Sequence, residues 1–500
     1  MLRTKDPNQL KIEEFKTPFE MKMDPHNRWV KLSEIVPWEE VLRQYGKNMS
    51  DFGRPGIDSR RAVGAMIIKV MLGLSDEETV EQIRENPYMQ YFLGYEAYSK
   101  EAVFDPSTFV YIRERLGEEA VSKLNYALLN KKETVKKKKK EKDDSQEGGG
   151  TGKKETEEKE EARPKGTLLL DATIADQYIK YPNDVELLQD GREKSEQMID
   201  YIYELQDKQG NKPRTYRRKA RKDYLNFAKK KNRSKREIRK AERKQLQYLG
   251  RNLRTINQKI DELGEIPFRK VMYKDYLVIQ ELYRQQKEMY DKKINYCNDR
   301  IVSIHQPHVR PMVRGKQGKK VEFGSKILCA IVKGYYGIIN KLSWDAFNEG
   351  SHVIEGVEQY KELYGYYPET VIGDRIFITR ENKKKLESMG IRLSGKDLGR
   401  KTEEKKAKEL KRMKKEQRLR VRIEGKFGQA KNGYELNRIR MRKSSTSESE
   451  IALTFFVMNL IRYAKEVFLW PVSQIVRVLE SLIIKIIGHG NPQPVNSLSR

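Results

Sequence analysis

The sequence predicts a mixed α/β fold in which a mixed sheet is flanked by helices, with an all-α module before it and a basic helical insertion within it. Three observations predict this. Apolar residues recur at helical spacing between Lys31 and Gly117. Two short apolar runs, Leu168 to Asp171 and Thr370 to Asp374, each end in an acid, as a buried strand does when it delivers a carboxylate at its C-terminal end. Helical spacing returns between Asp184 and Asp299 and again from Gln417 onward.

Residues 1–30 are polar and read as extended. From Arg60 to Leu74, Ala62, Met66, Ile67, Val70 and Met71 form an apolar stripe, and Gly73 can end the helix. Ser75 and Glu78 have the spacing of a capping box, and the helix they start stops at Pro87. Asp105-Pro106-Ser107 opens another helix near Thr108. Gly117 breaks it, and a further helix runs to about Asn130. A bundle of this kind is either a helix-turn-helix variant that binds DNA or a bundle that only packs, and periodicity does not separate the two. Lys131 to Arg163 has almost no apolar residues and reads as a flexible charged linker.

Past the first acid-ending run, Lys212 to Arg254 is very basic and interleaved with Tyr216, Tyr224, Phe227 and Tyr248. Cations there meet phosphates and aromatics stack on bases, or the stretch is a solvated helical hairpin whose aromatics pack on one another. Strand signals resume at Ile301 to Ile304, Val309 and Val313, punctuated by Gly315, Gly318 and Gly324. Lys326 to Ile339 reads as a strand pair turning near Gly334 and Gly337. A helix over 353–366, the strand ending at Asp374, a helix over 382–389 and a short strand at 392–394 follow. A basic run over 396–418 leads into the helix of Gln417 to Lys431. Helices over 448–470 and 473–487 cap the chain, with a loose tail from Gly488.

Composition narrows the function. Of 500 residues, 102 are Lys or Arg against 73 Asp or Glu, a formal charge of +29 that calls for a polyanion, of which nucleic acid is the usual one. Two cysteines give no disulfide framework and suit a reducing interior, and five histidines offer no zinc spacing. The apolar run from Ile451 to Trp470 is broken by Arg462, Lys465 and Glu466, so it reads as a core helix rather than a membrane span. The N-terminus does not read as a signal peptide.

On a helix at about 100° per residue, Arg420, Glu424 and Lys431 fall within a stripe about 40° wide, with Gln417 about 20° beyond. Leu419, Ile423 and Phe427 recur every fourth residue beside it and can bury the helix against a sheet. Such a stripe alone is most simply a solvated face with i,i+4 ion pairs. Gly425 and Gly428 count against an ordinary surface helix and suggest a close approach of backbone or ligand. An acid at a strand end is by itself a turn residue as readily as a ligand. Asp171, Asp374 and Glu424 together make a set of hard oxygen donors suited to a divalent cation, with cations beside them for phosphates.

These residues resemble the DDE triad of bacterial insertion-sequence transposases, whose catalytic core is RNase H-like. The resemblance rests on Leu170-Asp171-Ala172-Thr173 followed by Tyr181-Pro182-Asn183-Asp184, and on Gly373-Asp374-Arg375 followed by Thr379-Arg380-Glu381-Asn382. It rests also on Arg420, Glu424 and Lys431 at the spacing of the Tyr-x2-Arg-x3-Glu-x6-Lys signature, where Gln417 takes the place of Tyr. Asp374-Arg375-Ile376-Phe377 likewise departs from the usual Asp-Arg-Gly-Tyr. The helical module, with Glu78 to Pro87, is similar to that family's N-terminal domain.

The resemblance implies DNA transposition: Asp171, Asp374 and Glu424 are the catalytic acids and hold two Mg²⁺ ions, which Mn²⁺ can replace. It implies that Arg420, Lys431 and Arg375 contact DNA, and that Trp344 either stacks on a displaced base at the transposon end or, as is more usual for a Trp, packs in the core. The partners are double-stranded DNA, both transposon ends and target, and a second copy in a homodimeric complex. The setting is the cytoplasm, at the nucleoid, without membrane. A nuclease that only hydrolyses, and a domesticated DNA-binding protein with a dead site, are the alternatives. The domains expected are a helical module over 1–130, the linker over 131–163, a catalytic domain over 164–183 and 300–445, the insertion over 184–299 and a helical C-terminal region over 446–500.

Overall fold

The computed structural model describes residues 11–18, 21–47, 56–144, 164–206, 211–313, 321–395 and 402–487, of which 133–144 and 469–487 by backbone alone. Six strands form one sheet. They are β1 (Thr167–Asp176), β2 (Arg310–Val313), β3 (Val321–Val332), β4 (Tyr336–Ser343), β5 (Thr370–Ile372) and β6 (Arg392–Leu393). The order is β2-β3-β1-β5-β6, with β4 also paired to β3.

Strand β1 is central because Leu168, Leu169 and Leu170 are buried in succession, the continuous apolar run of a strand covered on both faces. It runs antiparallel to β3, from Leu169 opposite Ile331 to Asp176 opposite Gly324, and parallel to β5, with Leu169 beside Ile372. β5 and β6 are parallel in turn. The β3–β4 hairpin turns through Lys333 and Gly334, both at positive φ, close to the turn the glycines predicted.

Gly324 sets how closely two strands meet. A Cβ there would stand 1.8 Å from the Ala175 carbonyl oxygen of β1. Gly324→Ala is therefore expected to lower stability by about 1–3 kcal/mol through forced backbone shift. Equilibrium urea unfolding measures this, and an unchanged midpoint would show that the strands yield freely.

The N-terminal bundle comprises α1 (Arg28–Ile35), α2 (Trp38–Gly46), α3 (Ser59–Leu72), α4 (Asp76–Glu85), α5 (Pro87–Phe92) and α6 (Thr108–Asp144). The capping box forms as expected: the Glu78 N–H donates to Ser75 Oγ and the Ser75 N–H to Glu78 Oε2, each at 3.1 Å. Gly117 takes a non-helical φ of 64° and kinks α6.

The expected linker does not begin at Lys131. Helix α6 continues to Asp144, because Lys and Glu are good helix formers and need no core. Lys132, buried, bonds Glu466 at 2.6 Å. The stretch 145–163 lies outside the described residues.

Flanking the sheet are α11 (Val353–Tyr364), α12 (Arg380–Ser388), α13 (Glu403–Gly433) and α14 (Ser444–Ile487). The break expected near residue 471 is absent, and α14 is continuous. One apolar core runs from Trp29 and Phe92 of the bundle through Ile331 of the sheet to Phe455 and Phe456 of α14. Arg113 of α6 ties the same elements together, through Asp76 of α4 at 2.5 Å and Glu450 of α14 at 3.1 Å.

The insertion is four helices: α7 (Asp184–Leu205), α8 (Arg217–Ala228), α9 (Lys235–Leu263) and α10 (Lys270–Lys292). It has its own core, including Leu188, Ile199, Leu249, Ile256, Ile279 and Leu282. The apolar run at 301–304 forms no strand. Ile301 and Ile304 are buried in the insertion's core instead, where they serve burial without needing sheet pairing.

Candidate active site at the carboxyl edge of the sheet

The register of β1 and β5 brings two acids to one level. Leu169 lies beside Ile372, and Asp171 and Asp374 each follow two residues later. The first strand does not end at its acid as expected: β1 continues to Asp176 along β3, so Asp171 lies within it, just past the part paired with β5, while Asp374 lies two residues beyond the end of β5. Asp171 Oδ1 accepts the Ala172 N–H at 2.8 Å, and Asp374 Oδ1 accepts the Arg375 N–H at 2.7 Å. Asp374 thereby caps the short 3₁₀ turn of Arg375 to Phe377, which leaves Arg375 exposed beside it.

Burial pushes the Asp171 carboxyl above the usual carboxylate range. The Ala172 N–H and Arg420 work against this, while Glu349 and Asp374 add to it. A carboxylate half-buried near two other acids is a site that gains from a bound cation. Arg420 acts on both acids: it opposes the rise at Asp171, and its Nη1 stands 3.6 Å from Asp374 Oδ1.

Arg420 comes from α13, which lies along β1. Its packing follows the sequence stripe: Ile423, Phe427 and Ala430 are buried and Leu419 half-buried. Glu424 is one turn, about 6 Å, further along the axis. Its side chain is exposed. Among the described residues, no three acid, histidine or cysteine side chains stand together so as to hold a metal ion. The pair Asp171 and Asp374 is assembled, and Glu424 is not gathered to it.

The cations of the stripe separate. Lys431 lies eleven residues past Arg420, about 16 Å along the helix, and its Nζ is 3.7 Å from Glu322 Oε1 on β3. A Cβ at Gly425 or Gly428 would meet no neighbour within 4 Å among the described residues, so the close backbone approach expected there is not seen among them. Trp344 is engaged in the fold. Its Nε1 donates to Glu448 Oε1 at 2.5 Å, and its ring meets His308 edge-on at 4.3 Å. Burial brings His308 down to about 4, with Lys274 and Arg310 adding to the push, so it is neutral at pH 7.

Glu349 is the acid that sequence reading missed. It pairs with Lys326 at 2.7 Å and is close enough to act on Asp171. It sits in the 3₁₀ turn Glu349–His352, where no periodic pattern marks it.

Asp171 is half-buried on the central strand and Asp374 is exposed in the turn after β5. A cleft of about 590 Å³ lies elsewhere, between the α3–α4 turn and residues 434–446, and is lined by Arg113, Arg438 and Arg440.

Comparison with known sequences is consistent with this geometry. Residues 18–115 match the family described as a transposase domain (DUF772). Residues 371–461, which hold Asp374, Arg420, Glu424 and Lys431, match the family described as a transposase DDE domain. Over 123 residues the chain is 33% identical to the uncharacterized protein ORF8 in the nfe locus of Rhizobium meliloti. That stretch covers 25% of this chain and spans 59% of the relative's length. No solved structure matches.

Proposed function

Because the chain belongs to the insertion-sequence DDE transposases, we propose that it binds the terminal inverted repeats of its element, cleaves the DNA there and joins the ends to a target. The observation that carries the proposal is the pairing of Asp171 and Asp374 at one level of adjacent parallel strands, with Arg420 against them. The antiparallel run β4-β3-β1 continued by parallel β5 and β6 supports an RNase H-like core.

The family typically uses a divalent metal, and the donors fit one. They are carboxylate oxygens, the hard ligands Mg²⁺ prefers, and burial already disfavours an uncompensated charge on Asp171. Asp171, Asp374 and Glu424 would hold two such ions. These ions would supply an activated oxygen nucleophile and charge stabilisation on the leaving oxygen.

The chain's own residues then divide the remaining work. Asp374, capped by the Arg375 N–H, has an oxygen held in place. Arg420 and Arg375 orient phosphates beside the acids. Lys431, further along α13, contacts the backbone away from the reacting bond. A second copy completes a homodimeric DNA complex.

The test is a plasmid carrying the DNA that flanks the gene, incubated with purified protein, Mg²⁺ and a target plasmid. Nicks at the repeats and joined products are expected. Nicks without joined products would make the protein a hydrolytic nuclease. Binding without nicks in either Mg²⁺ or Mn²⁺ would make it a binding protein.

A further inference from the structure

Neither family match reaches the insertion, yet it carries much of the chain's charge. Lys212 to Arg254 holds 19 lysines and arginines against three acids, a net +16 of the chain's +29. A basic run is ordinarily a solvated face whose cations find i,i+4 acids, and part of this one is. Lys212 and Arg217 share Asp200 at 2.8 and 2.7 Å, and Lys244 holds Asp223 at 2.9 Å.

The outward stripe of α9 differs. With Lys235 as zero, the buried Leu246, Leu249, Leu253 and Ile256 occupy an arc from about 300° to about 20°. Arg236, Lys240, Arg243 and Arg254 lie on the opposite side, between about 80° and 140°. All four are exposed. None of them has a hydrogen bond or ion pair among the described residues. Between Arg236 and Arg254, Gln247 is the only other residue on that line; the acid on the same line, Asp261, lies seven residues past Arg254. The stripe is about 27 Å long at 1.5 Å per residue, the length of about eight base pairs at 3.4 Å each. Arg218 and Lys222 of α8, with Lys229 just past its end, are likewise exposed and fall on the face opposite buried Ala220 and Phe227.

The aromatics select among nucleic-acid forms. Phe227 is buried under the Arg233 guanidinium at 4.6 Å. The Tyr248 hydroxyl bonds Asp223 at 3.0 Å, the Tyr224 hydroxyl bonds Glu186 at 3.2 Å, and Arg251 lies over Tyr216 at 4.4 Å. Of these four rings only Tyr216 is exposed, and Arg251 already lies over it, so the run offers no series of rings for splayed bases, which single strands require. What remains is a row of point charges, which suits the phosphates of a paired helix irrespective of sequence.

We propose that the outward stripe of α9, with the neighbouring face of α8, is a second DNA-contacting surface that holds duplex phosphates away from the reacting bond without reading sequence. Naming DNA rather than another polyanion rests on the transposase reading.

The experiment uses the full chain with Arg236, Lys240, Arg243 and Arg254 all changed to Gln, and a random-sequence DNA duplex without terminal repeats. Affinity is measured between about 50 and 200 mM salt. Each phosphate contact contributes about 0.9 to the slope of log affinity against log salt, so the slope is expected to shrink by about three to four units. Affinity at the low-salt end should fall at least tenfold. Lys212→Gln, which removes a paired cation, should change neither.

An unchanged slope in the fourfold variant overturns the proposal. A loss confined to an RNA duplex overturns the choice of DNA. The two readings fail separately. If the transposase reading is wrong, the wild-type chain cleaves nothing while the slope still shrinks. If the stripe is idle, cleavage persists and the slope does not move.

Discussion

Asp171→Asn and Asp374→Asn are each expected to lower DNA cleavage by about 10³-fold or more, since losing several kcal/mol of metal-borne charge stabilisation has that effect on rate. Duplex binding should persist. Asparagine keeps the size of the side chain and an oxygen for the Ala172 or Arg375 N–H, so only the charge is lost. Unfolding does not explain such a loss at Asp171. Its folded carboxyl is raised by burial, so the native state binds its proton more tightly than the unfolded chain does. The stability it contributes is present below the ordinary carboxylate range and is lost as pH rises through the raised value. At pH 7 the buried charge is a burden, and Asp171→Asn should melt no lower than wild type. Cleavage within about threefold of wild type in both variants would remove these acids from the mechanism, because a factor of three is under 1 kcal/mol.

The third acid is decided by a matched pair of variants. Glu424→Gln should lose cleavage to the same degree, although the side chain stands exposed and apart from the strand acids. Glu349→Gln should retain cleavage, because that carboxylate is already committed to Lys326 at 2.7 Å. The opposite pattern would transfer the role to Glu349.

What the sequence disclosed follows from how burial is written into it. Leu168 to Leu170 and Thr370 to Ile372 read as strands because central strands are apolar on both faces, and the acid that ends each run was visible for the same reason. The Ser75–Glu78 cap was legible because its partners are three residues apart.

A helical wheel, by contrast, keeps azimuth and discards axial position. Arg420 and Lys431 share a stripe, yet one reaches Asp374 and the other Glu322. The apolar run at 301–304 announced burial but not its partner, which proved to be the insertion's core. Trp344 is bound to Glu448, 104 residues away, and nothing local to either residue signals that. The union of bundle and sheet in one core was hidden for the same reason. Residues 131–144 looked too polar to be ordered, but a helix needs only good helix formers once α6 is nucleated upstream.

That union turns on one side chain, and Asn459→Leu is expected to destabilise the protein by about 3–5 kcal/mol. Asn459 of α14 is fully buried, and all its polar capacity is used. Its Oδ1 accepts the Gly337 N–H of β4 at 3.0 Å and the Lys426 ammonium of α13 at 3.1 Å. Its Nδ2 donates to the Gly337 carbonyl at 2.7 Å and to Asn125 Oδ1 of α6 at 2.9 Å. Leucine would leave a buried amide and a buried ammonium without that partner. The ammonium dominates. Burial brings Lys426 down to about 8, a shift that Cys329 opposes and Arg462 reinforces. The Cys329 thiol is itself pushed up to about 12 by burial, so it is neutral near pH 8 and lends no charge there.

The unfolded chain therefore holds the lysine proton between about pH 8 and the ordinary lysine range while the native state has released it, and the lysine's contribution to stability should rise with pH across that window. Lys426→Met should remove that rise and leave stability at pH 7 unchanged or higher by about 1 kcal/mol or more. In the Asn459→Leu background it should recover a large part of the loss, a coupling that a double-mutant cycle from urea unfolding measures directly. If the two substitutions prove additive, the ammonium does not depend on Asn459, and the destabilisation belongs to Gly337 and Asn125 alone.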